Sequence, residues 1–169
     1  AGHPCDGGAA GNLALLPLLG FEPPDLVILL GGRMGLLLGG RSGAVVPDAA
    51  RLAQVHTNAA EIGRIRDAEL AIAADSAETV RALAATLDGR APAGLEQWRA
   101  QATSTAAVFA SQFPDAETGQ GIHPLHAAKA VADKAGPDAI YVYDGGEAAS
   151  WAGAATAVNR PGSLLTHGY

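Results

Sequence analysis

Two glycine turns hold the residues best suited to chemistry. Gly31-Gly32-Arg33-Met34-Gly35 follows the apolar run Leu26–Leu30, and Asp144-Gly145-Gly146-Glu147 follows Tyr141-Val142-Tyr143. Glycine lets a backbone approach an anion closely, and N–H groups at a strand-to-helix turn are ready donors to a diphosphate. Arg33 adds a cation to the first turn. In the second, a helix start adds its partial positive charge. Each turn also has a purely structural reading: a tight bend in the first, an ordinary β-to-α connection in the second. The first does not satisfy G-x-G-x-x-G, and no helix clearly begins after it. Spacing alone leaves both readings open.

The remaining reactive side chains lack partners in sequence. His123 and His126 form H-P-L-H at a helix start, an i, i+3 pair that can ligate a metal, but no acidic or cysteine partner lies nearby. Cys5 has no local base, His56 reads as a strand-end polar residue, and no G-x-S-x-G is present. No catalytic residue and no metal ligand is assigned.

The elements that must position these turns read as an α/β layer. Leu26–Leu30 is a short continuous apolar run between turn residues, the pattern of a buried parallel strand. Further strands are expected over 51–56, 70–74, 139–143 and 163–166. Helices are expected over 76–87 with Ser76 as cap, 95–113, 124–135 and 147–158, and residues 8–19 are helix-prone around Pro17. Val80, Leu83, Ala84 and Leu87 form one apolar stripe, and Leu125, Ala128, Val131 and Ala132 another. Trp98 and Trp151 are expected in cores. Alternating strands and helices predict parallel sheets.

Composition narrows the class. The 169 residues are 49% hydrophobic, so disorder for want of buriable surface is excluded. A formal net charge of −6 argues against a binder of nucleic acid. One cysteine excludes an internal disulfide. The longest apolar run is far short of a membrane span, and no targeting pattern precedes it. A cytoplasmic protein is expected, with no membrane partner.

Specific strings add a resemblance. Asp25-Leu-Val-Ile-Leu-Leu-Gly-Gly-Arg-Met-Gly35, then Leu52-Ala-Gln-Val-His-Thr-Asn-Ala-Ala-Glu-Ile-Gly63, then Ile72-Ala-Ala-Asp75 resemble the central domain of thiamine-diphosphate enzymes. His123-Pro-Leu-His-Ala-Ala-Lys-Ala, Asp144-Gly-Gly and Leu165-Thr-His-Gly-Tyr169 are similar to the start of that family's diphosphate-binding domain. The H-P-x-H-A opening and H-G-Y ending resemble those of benzaldehyde lyase and related acetolactate-synthase-like lyases. Ala149 stands where an aromatic side chain would line a benzaldehyde-lyase-like pocket, which weakens that finer assignment.

The resemblance implies a Rossmann-like central domain over 1–92, a connecting helix and linker over 93–121, and an incomplete diphosphate-binding α/β domain over 122–169. It implies thiamine diphosphate with Mg²⁺ as the cofactor of the full-length member, contacted by Gly145, Gly146 and Glu147, with His167 and Gly168 beside it. The substrate would be a small 2-keto acid or 2-hydroxy ketone, and the full-length form a homodimer or homotetramer. The family's catalytic glutamate and its G-D-G…N metal motif are expected outside residues 1–169, so the chain is expected to be a piece of a longer enzyme and inactive alone. Some relatives bind FAD or ADP in the central domain, where Gly32 and Arg33 would form the nucleotide turn. Both aspartates of the family's D-x-D are replaced here, by His56 and Asn58. A non-catalytic nucleotide-binding or interaction module is the alternative, and a truncated product that self-associates through exposed strand edges is a third reading.

Overall fold

A computed structural model describes residues 15–90, 93–115, 117, 119, 121–156, 160 and 162–166. The chain divides into two compact units, Leu16–Trp98 and a second from Arg99 onward.

The first unit is built on a parallel sheet. After a short helix α1 (Leu15–Leu18) come β1 (Leu26–Leu30), β2 (Arg51–Val55) and β3 (Leu70–Ile72), in spatial order β1-β2-β3. Leu26 lies opposite Arg51 and Leu30 opposite Val55, while Ala53–Val55 pair with Leu70–Ile72. The connections hold only 3-10 turns, at Leu36–Leu38 and Ala59–Glu61. Helix α2 (Ser76–Leu87) follows β3. The core centres on β2, where Leu52, Ala53 and Val55 are buried with Leu16, Met34, Val46 and Ala50. The guanidinium of Arg66 donates to Val46 O at 3.0 Å, to Asp48 O at 3.1 Å and to Ala50 O, pinning the loop that leads into β2.

Several expectations are corrected here. β1 is parallel, but Leu26, Ile28 and Leu30 are 44–46% exposed, so it is not buried on both faces. Alternate residues of a strand point to opposite faces, and on the face these three share with Leu70 the β2 residues Ala53 and Val55 are the buried ones. The α2 stripe is likewise open: Val80, Leu83 and Leu87 are exposed, and the helix buries no residue. Its cap is Asp75 instead of Ser76, because the carboxylate accepts from both Ala77 N and Glu78 N. β2 and β3 stop at Val55 and Ile72, before His56 and Ala73.

The second unit contains most of α3 (Glu96–Ser111), then α4 (Pro124–Ala135), β4 (Tyr141–Tyr143), α5 (Glu147–Ala155) and β5 (Leu164–Thr166). β4 and β5 are parallel, with Tyr141 opposite Leu164. Both are shorter at their starts than the apolar pattern suggests, and α5 ends at Ala155 with Thr156 as an extended cap. Tyr141 and Tyr143 share one face of β4. Their hydroxyls donate to Ala132 O of α4 and Ala152 O of α5. The α4 stripe packs only in part, with Leu125 buried and Val131 65% exposed. Neither tryptophan sits fully in a core. Each is half-buried, because its indole N–H needs a polar partner: Glu22 O for Trp98, the Glu147 carboxylate for Trp151.

Candidate functional site

The first glycine turn lies at the carboxyl end of β1. Gly31 has φ +69°, and a Cβ at Gly32 would stand 2.8 Å from Leu29 Cδ1. The bend itself therefore calls for glycine at Gly31, whereas at Gly32 a Cβ would meet only the movable tip of the Leu29 side chain. Beyond the bend, Arg33 lines a pocket of about 410 Å³ with Met34, Arg41, Gln54, Glu61 and Arg64. Glu61 Oε2 lies 3.1 Å from Arg33 Nε, and its Oε1 lies 3.2 Å from Arg64 Nη1. Arg41 has no hydrogen bond or ion pair among the described residues.

Gln54 sets the walls of this pocket. Its side chain is buried in β2, and Nε2 donates to Gly32 O at 3.2 Å and to Glu61 O at 3.3 Å. Oε1 accepts from Gly63 N at 3.0 Å. One amide thus ties the turn after β1 to the turn after β2. Sequence reasoning singled out Arg33 and missed Gln54, Arg41, Glu61 and Arg64. The available signal was a polar residue inside Leu52-Ala-Gln-Val55.

His56 and Asn58, the replaced acidic positions, serve their own turn. Asn58 N donates to His56 Nδ1 at 3.0 Å, and Asn58 Oδ1 caps the 3-10 turn by accepting from Ala60 N. Neither side chain lines the arginine pocket.

In the second unit an aromatic cluster fixes the start of α5. Phe113 packs against His123 with tilted rings whose centroids are 4.6 Å apart, and Trp151 meets Phe113 at 5.4 Å and His123 at 5.0 Å. His123 Nδ1 accepts from Leu125 N as the cap of α4, and His126 Nε2 lies 2.5 Å from Phe113 O. The two imidazoles therefore serve the packing and capping of α4. Among the described residues, no group of three or more His, Cys, Asp or Glu side chains converges as a metal site.

The turn at Asp144–Gly146 sits between β4 and α5. Gly146 is the N-cap, with φ +84° and no side-chain hydrogen bond, and nothing lies within 4 Å of the place of a Cβ. This uncapped helix start fits an anion such as a diphosphate. The Gly145 amide already donates to Asp144 Oδ1 at 2.8 Å, so an anion must compete for it. The Glu147 carboxylate accepts from Trp151 Nε1 at 3.0 Å. His167, Gly168 and Cys5 lie outside the described residues.

Parallel strands with an arginine-lined pocket at their carboxyl ends have the form of a Rossmann-like α/β layer. Residues 2–83 match the family model of the thiamine pyrophosphate enzyme central domain. The match supports a thiamine-diphosphate enzyme family for this segment and implies thiamine diphosphate as that family's cofactor. Among the described residues, no helix is long and apolar enough to cross a membrane.

Proposed function

We propose that the chain is a segment of a thiamine-diphosphate-dependent lyase or synthase of the acetolactate-synthase-like kind. The full enzyme would cleave or form a carbon–carbon bond in 2-keto acids or 2-hydroxy ketones. The match of residues 2–83 to the central domain carries this reading. In it, residues 1–92 are the central domain, 93–121 the connection, and 122–169 the opening of the diphosphate-binding domain.

Thiamine diphosphate, held with Mg²⁺, would supply the electron sink for the bond change. This chain's part is to seat the diphosphate. The open helix start at Gly146 and Glu147 presents backbone donors, and Gly145 joins them once its amide leaves Asp144. Glu147 stays turned along α5 by Trp151, which limits its repulsion of the phosphates. His167 and Gly168 enter only through the resemblance. A cytoplasmic homo-oligomer, dimer or tetramer, goes with this reading.

Reading the coding DNA on both sides tests it. A glutamate-bearing α/β domain upstream and a G-D-G…N motif downstream are expected; stop codons beside unrelated sequence on both flanks would sink it.

The arginine pocket favours a second reading, a non-catalytic module that binds FAD or ADP. Separate titrations of the chain with FAD, ADP and thiamine diphosphate discriminate the two. Micromolar nucleotide binding without a thiamine-diphosphate response favours the module.

A further inference from the structure

The arginine pocket contains its own counter-ion. The Glu61 side chain is 13% exposed, whereas its partners Arg33 and Arg64 are 69% and 64% exposed. The carboxylate thus sits at the base of the pocket between two guanidinium groups that reach outward. Its backbone is anchored separately, through the Glu61 carbonyl and Gln54 Nε2. Arg41 is the one lining cation with no partner among the described residues. The four charged groups of the lining leave an excess of positive charge in a chain whose formal net charge is −6.

A tethered carboxylate competes with any incoming anion at high effective concentration. A singly charged anion gains only Arg41 unless it also displaces Glu61. A ligand with two adjacent anionic groups can hold Arg41 with one and take Arg33 or Arg64 with the other. His56 and Asn58 are occupied in their own turn and offer no carboxylate to ribose hydroxyls. The shared chemistry that fits is therefore a diphosphate, whether free or carried by a nucleotide.

We propose that Glu61 is a specificity-determining residue of this pocket, an internal competitor that rejects singly charged anions and admits diphosphates. The proposal rests on reading the pocket as an anion site, the second reading above.

Calorimetric titration of the full chain and of E61Q with inorganic pyrophosphate, ADP, adenosine and acetate tests it. The wild type is expected to bind pyrophosphate and ADP with similar affinity and to ignore adenosine and acetate. E61Q is expected to bind pyrophosphate about tenfold more tightly, the order set by releasing two surface ion pairs, and to gain measurable acetate binding. Arg41→Gln is expected to weaken pyrophosphate about tenfold. Pyrophosphate binding that E61Q leaves unchanged or weakens overturns the role of Glu61 while sparing the anion site. No pyrophosphate binding by either protein overturns both. ADP binding far tighter than pyrophosphate shows that the nucleoside is read and overturns the diphosphate assignment. If E61Q lowers the unfolding midpoint, Glu61→Ala repeats the test, since Gln54 holds only the Glu61 backbone.

Discussion

The buried amide of Gln54 satisfies three backbone groups, Gly32 O, Glu61 O and Gly63 N, that would otherwise face each other unpaired. Gln54→Leu keeps the volume and removes all three bonds. It should cost about 1–3 kcal/mol, the penalty for stranding buried polar groups, read from urea denaturation. It should also loosen the pocket, so pyrophosphate binding falls with stability. At the surface, Arg51 meets Glu69 through a fork of three hydrogen bonds, the shortest 2.7 Å. This bonding and the attraction of Arg51 hold the Glu69 carboxyl below the usual carboxylate range. A carboxylate with a depressed folded pKa stabilises the fold above its unfolded pKa, and that contribution fades as pH falls through the folded value. Glu69→Gln should therefore narrow the stability difference between neutral and acid pH, by a small amount because both groups are exposed. Thermal unfolding from neutral pH down to pH 3 checks it. Arg33 was legible in sequence because it directly follows two glycines after an apolar run. Gln54 and Arg41 were not, since their roles depend on groups that only the fold brings near.

Strand by strand, the parallel order was legible and the burial was not. A continuous apolar run such as Leu26–Leu30 implies cover on both faces, yet Leu26, Ile28 and Leu30 are 44–46% exposed. β2 is the buried strand, so equal truncations in the two strands should differ. Leu52→Ala, at 2% exposure, is expected to cost about 2–5 kcal/mol. Ile28→Ala, at 44% exposure, should cost less than half of that. Denaturant midpoints for the two variants measure the contrast, and equal losses would mean that Ile28 is covered in solution. At the start of α2, Asp75→Ala should cost about 1 kcal/mol, because two amides lose their acceptor. Ser76→Ala should cost less, which separates the observed cap from the one that composition suggests. The serine looked suitable because both residue types cap helices, and only the hydrogen bonds choose between them.

Across the molecule, two compact units divide the two glycine turns between them. The arginine pocket lies wholly in the first, and the match of residues 2–83 to the thiamine pyrophosphate enzyme central domain covers most of that unit. The open helix start at Gly146 lies in the second. Neither turn announced its chemistry by spacing, since Gly31 is needed for the bend and Gly146 also suits a plain β-to-α connection. Strings such as Asp25-Leu-Val-Ile-Leu-Leu-Gly-Gly-Arg carried the resemblance to that domain, and the structure supplied the charge arrangement around Glu61. The most direct measurement is acetolactate formation from pyruvate by the product of the extended reading frame, beside the 169-residue chain, each with and without thiamine diphosphate and Mg²⁺. Turnover by the extended protein that requires thiamine diphosphate, with none from the 169-residue chain, is expected. Turnover by the 169-residue chain alone, or an extended protein indifferent to thiamine diphosphate, would contradict the proposed function.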